Sequence, residues 1–147
     1  MATNINLDMV MRPAEVALAN MDEVLDRTAD NVGQAGYLPA GMREGLVVVV
    51  AAAKANVDGA KLMNQEVTGY AKANIDANLS AAKATMTAKL LNDAMTVQRD
   101  HLNAVMNDGL REGGKIAELA LATSEKATSP LRAQMEGPWA AWFKTAA

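Results

Sequence analysis

A chain of 147 residues suits one domain of ordinary size, but thirty of them are alanine and only five are aromatic: Tyr37, Tyr70, Trp139, Trp142 and Phe143. An aromatic ring buries ~150–250 Å² and alanine far less, so a thick core is disfavoured and wide, shallow apolar surfaces are expected. The net charge of −3 argues against a polyanion partner, and the lack of cysteine excludes disulfides and thiolate chemistry.

The opening residues, MATNINLDMVMRP, hold no apolar run of signal length. Pro13 at a first-turn position predicts a helix over roughly 14–32, with Met21, Val24, Leu25, Thr28 and Val32 on one side. GQAGYLPAG (33–41) reads as a loop, closing an N-terminal part that spans 1–41. A long helical region follows within 42–128, rich in Ala, Leu, Met, Lys and Glu and free of proline. The run Val47–Val50 prefers a strand, but its flanks are alanine-rich and no partner strand is visible, so a helix is predicted there too. The longest apolar run, LVVVVAAA at 46–53, falls well short of the ~20 residues that a membrane span needs. Asn92 and Asp93, in LLNDAM, are capping residues at which a reversal or kink is expected, giving a helical hairpin. A tail over 129–147 opens on Ser129-Pro130, a cap-and-first-turn signal, and is broken at Gly137-Pro138. The fold class is therefore all-α, with long amphipathic helices in a coiled-coil-like bundle, a short N-terminal helix and a short C-terminal aromatic helix.

The long region repeats itself. AKANVD (53–58) returns as AKANID (71–76) and more loosely as AKATMT (82–87). Eighteen residues make five whole helical turns, and eleven overshoot three turns by only about 20°. Val57, Ile75 and Met86 thus fall in one line, with Leu46, Val50, Ala53, Ala60, Leu79 and Leu90 close to it and Lys54, Lys72 and Lys83 along its edge. This broad apolar stripe, diluted by Asn64, Thr68 and Asn78, suits packing on a neighbouring helix or lying on an apolar surface, where flanking lysine stems lie flat and keep their ammonium groups wet. In the second arm, Leu91, Met95, Leu102, Val105, Met106, Ile116 and Ala120 share a side with Gly109 and Gly113. His101, Asp108, Arg111, Glu112, Lys115 and Lys126 occupy the other. The first side is expected to pack, within the chain or in an oligomer, and the second to face water.

Nothing resembles an active site. The single His101 has no second His or Cys to complete a zinc site, no acidic cluster has EF-hand spacing, and NDGLREGG (107–114) is neither a P-loop nor a dinucleotide fingerprint. No catalytic residue, cofactor or metal is predicted. In the tail, Trp139, Trp142 and Phe143 stand at i, i+3 and i+4 and would make one aromatic patch, docked on the bundle or anchored at an apolar boundary.

From about Ala53 to Met135 the chain resembles a phasin, the small helical protein that coats bacterial polyhydroxyalkanoate granules. The resemblance lies in the run from VDGAKLMNQEV to QRDHLNAVM and in KIAELALATSEKATSPLRAQME. An Ala-rich amphipathic arm, a break near Asn92-Asp93, TVQRDHL at the start of a second arm and SPLRAQM at its end match the family's degenerate pattern. His101 stands where the family often has an aromatic residue, the aromatic tail is not a general family feature, and the first 45 residues match nothing distinctive. The resemblance implies a non-catalytic, cytoplasmic coat protein on polyhydroxybutyrate or a related polymer, often a homo-oligomer, that influences granule size and number and the access of polymer synthase or depolymerase. Val57, Ile75, Leu79, Met86, Leu90, Trp139, Trp142 and Phe143 are the expected polymer-facing residues. Leu91, Met95, Leu102, Met106, Gly109, Gly113 and Ile116 are the expected packing residues. A lipid-surface helical protein and a coiled-coil adaptor or chaperone are the competing readings.

Overall fold

A computed structural model describes residues 7–136, and these form three α-helices with no strand among them: α1 (Leu7–Gln34), α2 (Ala40–Thr87) and α3 (Leu91–Glu136). The Val47–Val50 run is helical, since alanine-rich flanks favour a helix and no strand pairs with it. α1 begins earlier than predicted, so Pro13 lies inside it rather than at its first turn. The helix there forgoes the bond that a residue-13 N–H would give the Met9 carbonyl.

The two connections are short. Residues 35–39 link α1 to α2, with Leu38 N–H donating to the Ala35 carbonyl at 3.1 Å and the Ala35 side chain buried. Pro39 then accepts from the amides of Met42 and Arg43 and starts α2 without a side-chain cap. α2 stops at Ala88, whose extended backbone (φ −64, ψ 129) turns the chain. The reversal thus falls at residues 88–90, just ahead of the expected Asn92-Asp93, and Asp93 sits in the first turn of α3, where the helix dipole favours an acid. At the far end, α3 runs through Pro130 to Glu136, so the boundary expected at Ser129-Pro130 does not appear. The neighbouring helix explains this: Pro130 is half-buried, and Gln134, one turn on, still lies against Gly45 of α2.

α2 is the central helix, flanked by α1 and α3, and α1 and α3 do not approach one another among the described residues. α3 runs back along the whole of α2: Thr85 meets Gln98, Asn78 meets His101, Tyr70 meets Gly109, Gly59 meets Thr123 and Gly45 meets Gln134. The facing residues recur every eleven positions. On α3 the half-buried and buried columns are 94/105/116/127, 97/108/119/130 and 101/112/123/134. On α2 and its C-cap Ala88 they are 48/59/70/81, 52/63/74/85 and 55/66/77/88, with Ala77 the one exposed member. An eleven-residue repeat keeps its face along a nearly straight helix, so two such helices stay in touch over their length. Gly59 marks a close approach, since a Cβ there would lie 2.1 Å from Thr123 Oγ1.

α1 lies antiparallel on another face of α2, with Asp22 and Asp26 bonded to Lys61 and Lys54. Apolar burial is thin throughout. Ala35, Val50, Ala52, Val57 and Ala127 are the buried apolar residues among those described, and no large side chain is fully enclosed.

Candidate surface-binding flank

The seam between α2 and α3 is polar where the sequence predicts an apolar contact. Glu112 is only 6% exposed and accepts from Lys115 Nζ at 2.9 Å. Lys115 also reaches Glu66 across the seam at 2.9 Å, and Arg111 pairs with Asp108 at 3.0 Å. His101 Nε2 and Asn78 Oδ1 are 2.8 Å apart. The hydrogen bond from Lys115 is the main cause that holds the Glu112 carboxyl below its ordinary range, and the bonds to Glu66 and Glu112 raise the Lys115 ammonium. The charged side of α3 is thus the side that meets α2, because α2 supplies partners for it. Charged groups without such partners would not be buried.

The apolar side of α3 is left over. Leu91, Met95, Leu102 and Met106, expected to pack, are exposed, Leu91 at 79%. Gly113 has open space where a side chain would stand, and Gly109 faces the Tyr70 hydroxyl. Ile116 does enter the seam, half-buried. The sequence reading also missed Leu110, Leu121, Leu131 and Met135, which are exposed on α3. A signal for some of them was present: Leu91/Leu102, Met95/Met106 and Leu110/Leu121 each stand eleven apart.

The α2 stripe is divided. Val57 is 5% exposed because α1 covers it, whereas Ile75 is 37% and Met86 85% exposed, with Leu79 and Leu90 also open. Helical projection at 100° per residue puts this stripe about 140° from the α3-facing side of α2. The exposed apolar row of α3 lies about 105° from its α2-facing side. Because the helices run antiparallel, the two rotations bring both rows to the same flank. Ile75, Leu79 and Met86 thus lie on the same flank as Leu91, Met95, Leu102 and Met106, and Leu90 is exposed in the 88–90 turn that joins the two helices. The opposite flank is mainly polar: it carries Asp58, Gln65, Asp76, Ser80, Asn107, Glu118 and Glu125, all exposed, with Val47 and Leu62 as exposed apolar side chains among them. Trp139, Trp142 and Phe143 lie outside the described residues.

Among the described residues no group of three or more His, Cys, Asp or Glu side chains is placed to hold a metal, and no helix is long and apolar enough to cross a membrane. Two long antiparallel helices with one apolar and one polar flank define an amphipathic helical protein whose uncommitted feature is a surface. A family model described as "Phasin protein" matches residues 40–135, from the first residue of α2 to the last but one of α3. The chain belongs to the phasin family, non-catalytic proteins associated with polyhydroxyalkanoate granules. No curated protein and no solved structure matches it at a significant level.

Proposed function

We propose that this chain coats polyhydroxyalkanoate granules, such as polyhydroxybutyrate, in the cytoplasm and adheres through the flank around the 88–90 turn. The observation that supports this reading is the exposure of Ile75, Leu79, Met86, Leu90, Leu91, Met95, Leu102 and Met106 on one side of the helix pair that the family match spans. Burying an exposed side chain of this size gains ~1.5 kcal/mol, so the part-exposed set offers roughly 7 kcal/mol gross. Lost translational freedom and side-chain ordering reduce that, which suits reversible adhesion. Three of the eight, Met86, Met95 and Met106, are methionine, and a flexible thioether adapts to an irregular polymer face. Trp139, Trp142 and Phe143 supply a second anchor. Without polymer, the same flank serves contacts between copies, so homo-oligomer and coat exchange with one another. A coat of this kind keeps granules small and numerous and controls the access of synthase and depolymerase to the polymer.

The test is partition onto polyhydroxybutyrate particles and onto neutral and anionic liposomes. Met86→Asp with Leu102→Asp should release the chain from the particles, while Ser80→Asp with Ala122→Asp, on the opposite flank, should not. Equal partition of the two double variants, both still helical, would sink this assignment of the face. Tighter binding to liposomes than to polymer would replace the polymer by a lipid surface.

A further inference from the structure

Three copies of one motif share one face of α2, and only the first is covered. Val57 is buried under α1, while its equivalents Ile75 and Met86 are open. α1 is held loosely for a helix of 28 residues. Its inward side chains, Leu18, Asp22, Leu25, Ala29 and Val32, are only half-buried, and Met21 and Val24 are exposed. A groove of about 530 Å³, lined by Leu18, Met21, Leu25, Ala53, Val57 and Ala60 among others, stays open between the helices. Asp22 Oδ1 is buried with no hydrogen-bond partner, although its other oxygen binds Lys61. Among the described residues α1 makes no approach to α3, and the family match begins only at the first residue of α2. Its attachment to the rest of the chain is the short segment 35–39.

We propose that α1 is a displaceable cover over a second, concealed adhesive surface. On an apolar polymer, α1 lifts from α2 by pivoting at residues 35–39. Val50, Ala53 and Val57 then join Ile75, Leu79 and Met86 in one line on that polymer, interrupted between the two sets by Asn64 and Thr68. The half-apolar inner side of α1 is freed to lie down beside it. The polymer supplies to the stripe the burial that α1 supplied in water, so the exchange leaves little apolar surface wet. The repeat explains why the exchange works: the covered copy has the same apolar line and the same flanking lysine as the open ones, so whatever surface takes the second copy also fits the first. In water the cover keeps about half of the stripe from sticking to other copies.

The proposal rests on the adhesion reading above, and its test separates the two. The chain has no native cysteine, so Asp26→Cys with Lys54→Cys, two positions bonded in the structure, tether α1 to α2 specifically through a short bis-maleimide cross-linker that contains a reducible disulfide. The tethered chain should bind polyhydroxybutyrate particles several-fold more weakly than the same chain after the linker is reduced. Spin labels at the same two positions should also move apart when the untethered chain adsorbs. Equal binding of tethered and reduced chains, or an unchanged label separation on the particles, overturns the cover while leaving adhesion intact. If the reduced and wild-type chains both fail to bind, adhesion itself falls, and the cover with it.

Discussion

Replacing Gly59 by alanine tests the closeness of α2 and α3 at a single atom. The added Cβ would lie 2.1 Å from Thr123 Oγ1, 2.2 Å from its Cγ2 and 2.7 Å from its Cβ. Carbon atoms in contact prefer about 3.5–4.0 Å. A new Thr123 rotamer relieves the first two clashes at most, and threonine is stiff about χ1. The third clash involves an atom that no rotamer moves, so the backbones must separate. Overpacking of this kind costs ~1–3 kcal/mol. Alanine regains up to ~1 kcal/mol of helix propensity, leaving a net loss of up to about 2 kcal/mol. Gly69 lies in the same helix with no atom within 4 Å of its added Cβ. Gly69→Ala should therefore show the propensity gain alone, up to ~1 kcal/mol of stabilisation. Thermal unfolding followed by circular dichroism should separate the two, since 1 kcal/mol shifts Tm by about 2–4 °C in a chain of this length. Gly69→Ala should raise Tm and Gly59→Ala should lower it. Adding Thr123→Ala should restore part of the loss, because it removes the two nearest atoms and keeps the third. If Gly59→Ala stabilises the chain as much as Gly69→Ala, the helices are not in contact there and the eleven-residue seam is misplaced.

Acid should weaken the seam. Glu112 has its carboxyl held low by Lys115, so this stabilisation is present above the ordinary carboxylate range and is lost as pH falls through the lowered value. Melting temperatures of wild type should therefore fall more steeply in acid than those of Glu112→Gln, whose amide does not titrate. Asp22, lowered chiefly by its bond from Lys61, acts in the same sense on α1, and Lys54, raised by Asp26, keeps its charge throughout. Salt should act on α1 before it acts on the seam: the Debye length falls from about 10 Å at 0.1 M to 3 Å at 1 M, and the Asp26–Lys54 pair is more exposed than the Glu112–Lys115 pair. Amide exchange in α1 should accelerate with salt while that of residues 101–123 changes little. Removing residues 138–147 should leave helicity and melting unchanged and make polymer binding easier to wash off; a truncated chain that unfolds would place the three aromatic residues in the folded core instead.

Local chemistry carried the element types. Alanine-rich flanks outweighed four consecutive valines, and the reversal came within a few residues of Asn92-Asp93. Both prolines that looked like helix starts failed as such: Pro13 and Pro130 lie inside helices. Proline's propensity is a local term, and at Pro130 contacts along α2 override it. The α3 face was misread for a related reason. Whether a charged row is buried depends on what stands opposite, and the partners of Lys115 and His101 are Glu66, 49 residues away, and Asn78, 23 residues away. Periodicity on one helix reports that two faces differ, not which of them meets a neighbour. The apolar α2 stripe was legible as a stripe, but its division into a covered and an open part depends on where α1 comes to rest.

The eleven-residue seam makes the helix pair a ruler with evenly spaced marks. Each mark is three turns, roughly 16.5 Å of helix. A stretch of eleven residues removed from α2, together with the stretch facing it on α3, would shorten the rod by one mark and leave every remaining side chain on the flank it now occupies. Removal of any other length from one arm would rotate everything beyond the cut and mix the wet flank with the apolar one. Length in this architecture is therefore adjustable only in quanta, and in both arms together. Chains built this way can differ widely in reach while presenting the same cross-section to whatever they lie on.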